Sequence, residues 1–380
     1  MTDKISVGGP PPGRQRVVIA ELQAKLPLLF TPLTTSTKLE PSSRLWHSKP
    51  NHEVTMSRPK HHLANGRFRN NAELNNHSSL LKFLRWQWQS PRVERIAFPI
   101  DRSQHEWVRG NRSESSLTWL GHASFLLQHQ GFNLLTDPVL SERASPSQRV
   151  GPKRTTAPAM SLAELPEIDI VVISHDHYDH LDKNTVRGLA KQQAQSPLFV
   201  VPLKLGQWLS QQGIDHWVEL DWWQSHEHRG WQFHAVPVQH FSGRGTRPNN
   251  TLWAGFVIDT PEDDRGQKKR IFFAGDSGYS DDFKQIAKQF KSIDLALIPI
   301  GAYEPRWFMR DMHMNPEEAV QVHIDLQAKR SIAMHWGTFV LTDEAMDEPP
   351  KKLNEAKAVH GIQDDAFITL QHGQTLRGDL

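Results

Sequence analysis

The stretch VVISHDHYDHLD, Val171 to Asp182, decides the fold. An apolar, β-like run ends in three histidines and two aspartates within six residues, His175 to His180. Such a cluster is costly to desolvate and repels itself once protonated. A bound cation would offset both costs. His175 and His177 are one residue apart, so an extended strand end points both to one side. Asp179 and His180 follow where the chain must turn towards the next helix. Neutral imidazole and carboxylate suit zinc and similar ions, and one such segment can serve two neighbouring ions.

A pair of ions needs more ligands than four. Rigid elements hold ligands best, so the remainder is expected at strand ends. FHAVPVQH ends on His240, RIFFAGD on Asp276 and SIAMH on His335. Each polar residue closes an apolar run. The seven side chains divide into His175, His177 and His240 on one ion, and Asp179, His180 and His335 on the other, with Asp276 bridging. Asp137, in LLTDPVL, is the expected acceptor for the outer N–H of a ligand histidine. Two other histidine pairs are discounted. His226 and His228 share the His-x-His spacing but lack the Asp-His that follows it, and their polar stretch reads as a loop. His61 and His62 fall in a basic, loosely organised region.

The chain has 380 residues and no cysteine, which excludes disulfides, thiolate zinc sites and a cysteine nucleophile. No apolar run approaches the ~20 residues needed to span a bilayer, and the N-terminus lacks the layout of a signal peptide. The expected location is cytoplasmic, with peripheral attachment to a membrane surface left open. The net charge of +2 is uneven. Residues 1–110 carry 17 Lys and Arg against 8 Asp and Glu, whereas residues 111–380 carry 27 against 34. A basic extension over 1–110 therefore precedes a second, mildly acidic domain over 111–380. Most of residues 1–60 read as flexible, with a short amphipathic helix over Arg16–Phe30. Ser79–Gln89 reads as a second helix, with Leu80, Leu81, Leu84 and Trp88 on one face. That face suits either a membrane surface or the protein's own core.

From about Leu117 strands and helices alternate, which predicts sheets covered by helices. Asn315 and Pro316 mark a helix start at NPEEAVQVHIDLQ. The segments SHDHYDHLD, ERASPSQRVGPKR, ELDWW, FFAGDSGY, IPIGAYEPRWFM, NPEEAVQVHIDLQAKRSIAMHWGTF and EPPKKLNEA closely resemble the N-acylphosphatidylethanolamine-hydrolysing phospholipase D family of the metallo-β-lactamase superfamily. The similarity covers about Leu117 to Ile362, with a weaker echo at Asn65–Phe68; the first hundred residues depart from the family. The resemblance implies an α/β fold, an αββα four-layer sandwich, with two zinc ions in the grouping above; iron or manganese is not excluded. It implies a phospholipid substrate and places His313 in the active site. By position alone His313 lies near a helix N-terminus, which favours an anion such as phosphate.

Two cations ~3.5–4 Å apart lower the pKa of a shared water towards neutrality. The resulting hydroxide would attack the phosphodiester, with Asp179 orienting it and His313 contacting the phosphate or aiding the leaving group. Ala302–Met309, with Tyr303, Trp307 and Phe308 beside Arg306, would line an acyl-chain groove or plug a loop. The alternative activities are those of a lactonase or a nuclease on the same fold, although the basic excess lies far from the ligands and no nucleic acid is expected. A non-enzymatic scaffold would have lost a ligand, and none of the seven is missing. The basic N-terminal region is the expected membrane contact, and a homodimer is compatible with the sequence.

Overall fold

Alternation along the strands creates two apolar faces, and both are buried. In the computed structural model, which describes residues 59–74, 80–192, 195–244, 248–263 and 266–378, β1 (Ser116–Gly121), β2 (Ser124–His129) and β3 (Phe132–Thr136) form an antiparallel meander. β4 (Ile170–Val172), β5 (Leu198–Pro202) and β6 (Trp217–Leu220) extend it in parallel, and β14 (Thr375–Arg377) closes the other edge. Phe125, Leu127, Leu134, Ile170 and Val172 face the second sheet, while Leu126, Leu135, Val171, Phe199 and Val201 face outward to helices.

The second sheet repeats this plan. β7 (Ser225–His228), β8 (Trp231–Val236), β9 (Gly255–Asp259) and β10 (Arg270–Phe273) are antiparallel. β11 (Ile293–Pro299), β12 (Ala328–Met334) and β13 (Phe367–Ile368) continue in parallel. Each sheet has seven strands.

The helices are α1 (Leu80–Gln89), α2 (His105–Gly110), α3 (Lys183–Gln192), α4 (Gly206–Gln211), α5 (Asp282–Phe290), α6 (Arg306–Met309), α7 (Pro316–Asp325) and α8 (Glu348–His360). Val186 and Leu189 of α3 and Leu209 of α4 cover the outer face of the first sheet. Phe283 and Ile286 of α5, Val320 of α7 and Leu353 of α8 join the core of the second. The layers run helix, sheet, sheet, helix, as expected. Asn315 caps α7 as expected too: its side chain accepts from Glu318 N, and the Glu318 carboxylate accepts from Asn315 N.

Two expectations need amendment. His226 and His228 lie in strand β7, not in a loop; β7 is the edge of its sheet, so polar residues are tolerated there. In α1 the residue that docks is Trp86, stacked on Phe308 at 5.2 Å with its indole N–H donating to Asp343, while Leu81, Leu84 and Trp88 are exposed. The helix expected over Arg16–Phe30 lies outside the described residues.

Candidate metal centre

Buried strands expose their polar residues only where the ladder ends. His175 follows β4, His240 follows β8, Asp276 follows β10 and His335 follows β12. Gly275 lets the β10 exit pass closely: its φ is +60°, and a Cβ there would lie 2.5 Å from that of Ser174. His122, Asp137 and His335 also carry positive φ values of 56°, 32° and 62°. Such strain concentrates at functional sites.

All seven residues converge. His175 Nε2 lies 2.9 Å from His177 Nδ1, which lies 3.2 Å from His240 Nε2. Across the cluster, Asp276 Oδ2 is 3.0 Å from His180 Nε2, 3.1 Å from His335 Nε2 and 4.0 Å from His240 Nε2. Asp179 Oδ2 is 3.5 Å from His180 Nε2 and 3.4 Å from His335 Nε2. Asp276 thus stands between two triads. His313 is beside them, its Nδ1 3.9 Å from Asp276 Oδ2.

The outer ring nitrogens of His175, His180 and His240 are tied down, which aims their inner lone pairs. His180 Nδ1–H donates to Asp137 Oδ2 at 2.7 Å, the role expected of Asp137. His240 Nδ1–H donates to Met312 O at 2.9 Å. The Ser174 hydroxyl donates to Asp137, so Ser174 Oγ accepts from His175 Nδ1–H at 2.8 Å. In contrast, His180 Nε2, both ring nitrogens of His335, and Asp276 Oδ1 are buried with no hydrogen-bond partner. Buried polar atoms are rarely left so. An inward-facing set of imidazoles and carboxylates with orphaned atoms fits cations.

The electrostatics agree. Burial, with neighbouring imidazoles, holds the pKa of His175 well below the ordinary value, and burial brings His177 down to about 4 and His240 to about 3. Burial opposes charge on His180 and His335 as well, but the Asp276 and Asp179 carboxylates outweigh it, raising His180 well above its ordinary value and His335 to about 9. The second triad therefore attracts positive charge. Burial also depresses His313 to about 3, despite Asp276. At neutral pH its imidazole is uncharged.

Sequence reasoning missed His122. It sits in the β1–β2 turn, and its Nε2 lies 3.0 Å from Asp179 Oδ2. The signal was present, because His122 closes an apolar run as the other residues do. His61 and His62 were also misjudged: both are well packed, donating from Nε2 to separate oxygens of Asp221 at 2.7 Å. The anion argument for His313 weakens too, because Asn315 and Glu318 already cap the α7 terminus. Tyr178, Phe241, Met309 and Leu341 wall a cleft with His177, Asp179, Asp276 and His313 at its base. From the expected aromatic loop, Tyr303 and Phe308 are buried, whereas Ala302 and Met309 reach the cleft.

Residues 132–336 match the family model described as Beta-lactamase superfamily domain. The two-sheet fold with its inward cluster thus defines a metallo-β-lactamase-type hydrolase. The chain is 42% identical over 277 residues to N-acyl-phosphatidylethanolamine-hydrolyzing phospholipase D 1 of Caenorhabditis elegans, covering 69% of this chain and 76% of that protein. It is 34% identical over 257 residues to the mitochondrial enzyme of that name from Saccharomyces cerevisiae, covering 66% of this chain and 53% of the relative. A metallo hydrolase from Ignicoccus hospitalis shares the fold at a TM-score of 0.52 and 19% identity, over 70% of this chain and all of that one. The chain belongs to the N-acylphosphatidylethanolamine-hydrolysing phospholipase D-like family of the metallo-β-lactamase superfamily, and is a metal-dependent hydrolase. Among the described residues no helix is long and apolar enough to cross a membrane.

Proposed function

We propose that the protein is a two-zinc phosphodiesterase that hydrolyses N-acylated or related ethanolamine phospholipids by a phospholipase D type reaction. His175, His177 and His240 would hold one ion and Asp179, His180 and His335 the other, with Asp276 standing between the two sets. The observation that carries this reading is the pair of triads sharing Asp276, with orphaned inward atoms, beneath an apolar-walled cleft. Five imidazoles and two carboxylates without a thiolate suit zinc, as they suit iron or manganese. When bound, the ions supply an activated water at neutral pH and neutralise charge developing on the phosphoryl oxygens.

The chain's own residues do the rest. Asp179, steadied by His122, orients the attacking water. His313, uncharged at neutral pH, donates a hydrogen bond to a phosphoryl oxygen. Water enters, the bond from phosphorus to the ethanolamine oxygen breaks, and phosphatidate and the alcohol leave. Tyr178, Phe241, Met309 and Leu341 offer an apolar approach for acyl chains. The basic extension over residues 1–110 precedes the hydrolase domain over residues 111–380 and provides contact with an anionic membrane surface.

The test is to present purified protein with an N-acylated phospholipid, a lactone and single-stranded RNA, with and without chelator. Chelator-sensitive release of the headgroup alcohol is expected. Turnover of the lactone alone would sink the phospholipase reading, and chelator-insensitive activity would remove the metal mechanism. Metal analysis of the purified protein should return two zinc per chain.

A further inference from the structure

His240 lies four residues beyond the end of β8, where the ladder no longer holds it. Its main chain is held instead by a side chain 170 positions earlier. Asn70 Nδ2 donates to His240 O at 2.8 Å, and Asn70 Oδ1 accepts from His240 N at 3.1 Å. The amide acts as a neighbouring strand's peptide would, and Asn70 is itself buried. Together with the bond from His240 Nδ1–H to Met312 O, these contacts leave only Nε2 facing the cluster.

Asn70 ends a strap formed by residues 59–70, and the strap is anchored along its length. His61 and His62 grip Asp221. The strap folds back on itself through the His62–Phe68 bridge. Phe68 is buried in the main core, and its N–H donates to Asn249 O at 2.9 Å. Arg67 Nε donates to Pro248 O at 2.7 Å. Beyond the strap, Asn71 Nδ2 donates to Asp282 Oδ1 at 2.8 Å. The strap therefore grips the segment around His240 at both ends, at 240 and at 248–249.

We propose that Asn70 is a positioning residue: it aims His240 at the ion shared with His175 and His177, and the strap exists to hold it there. A side chain that fixes a ligand's backbone removes the main-chain movement by which the residue could leave the site, so ion affinity carries its contribution. The inference rests on the ligand set proposed above.

Zinc affinity of the full chain, measured by competition with a chromogenic chelator, tests it. Asn70→Ala should weaken one of two zinc ions by about tenfold and leave the other unchanged. Asn70→Ser, which keeps a hydroxyl but not the paired amide, should fall between, and it serves if the alanine variant does not fold. Asn111→Ala removes a buried amide that bonds Glu114 O outside the strap, at the end of β1 away from the cluster, so it should lower the Tm without altering either affinity. His240→Ala should weaken the same ion more than Asn70→Ala does. If His240→Ala weakens an ion while both Asn70 variants bind zinc as the wild type does and only lose stability, the strap is merely structural and the inference falls. If His240→Ala itself leaves both affinities intact, the ligand set is what fails.

Discussion

Two clusters in this molecule gather histidines around carboxylates, and they behave in opposite ways. At Asp221, two imidazole donors meet two carboxylate oxygens, each pair at 2.7 Å, and every meeting atom is satisfied. At Asp276 and Asp179 the accounting does not close. The outer nitrogens of His180 and His240 are held by Asp137 and Met312 O, so their inner lone pairs converge, and several inner atoms have no partner. Residue type does not make a metal centre. What distinguishes the two is the unpartnered inward atoms around Asp276, which draw positive charge.

The most severe way to break this contrast is to treat both clusters alike. Asp276→Asn should lose bound metal and abolish hydrolysis, whereas Asp221→Asn should keep both ions; metal analysis of the two purified variants decides it. Loss of metal from the Asp221 variant would mean that the clusters are not different in kind. Next in size is His313→Ala. Removing a positioned polar group of this kind costs about 10²–10⁴-fold in rate, and steady-state kinetics should find that loss with metal content unchanged. Asp137→Asn attacks the bond that aims His180, so titration with a chelator should report an affinity about 10–100-fold weaker.

Acid should separate the clusters by order of failure. Protons compete with metal ions for ligand imidazoles, and because the Asp276 and Asp179 carboxylates raise His335 to about 9, the second triad should be the first to exchange its ion for protons as pH falls. Burial raises the Asp221 pKa, but the hydrogen bond and charge of His61, the Trp222 N–H and the charge of His62 together outweigh it and hold the carboxyl below its ordinary 3.8. Its folded pKa being depressed, its contribution to stability is present above the ordinary value and is lost only as pH falls through the lower folded one. Metal content should therefore drop at a pH where amide exchange in residues 59–70 is still slow. The smallest expected effect is on stability: Asp221→Asn leaves a histidine donor unpaired, and should cost about 1–3 kcal/mol in denaturant unfolding.

Much of the cluster was legible because its residues obey a local rule. His175, His240, Asp276 and His335 each follow an apolar strand, and a strand that must bury its sides can show polar atoms only at its end; His177, Asp179 and His180 continue the turn that His175 opens. The same rule covers His122, which was overlooked because it stands alone between two strands. His61 and His62 were misread for a different reason. Their partner Asp221 is about 160 positions away, and nothing in a basic local context signals it. Asn70 shows the same limit, since its value lies in two bonds to a main chain 170 positions distant.

The amino-acid order alone determined the alternation of strands and helices, the identity of the seven converging side chains and the cap of α7, because each follows from periodicity or from chemistry within a few residues. Tertiary structure alone decided which histidines are satisfied and which are left facing an empty charge balance, that Trp86 rather than its leucine neighbours docks α1, and that an N-terminal strap holds His240. Those outcomes depend on donors and acceptors brought together across long stretches of chain, and hydrogen-bond satisfaction is a property of the assembled interior, not of any segment within it.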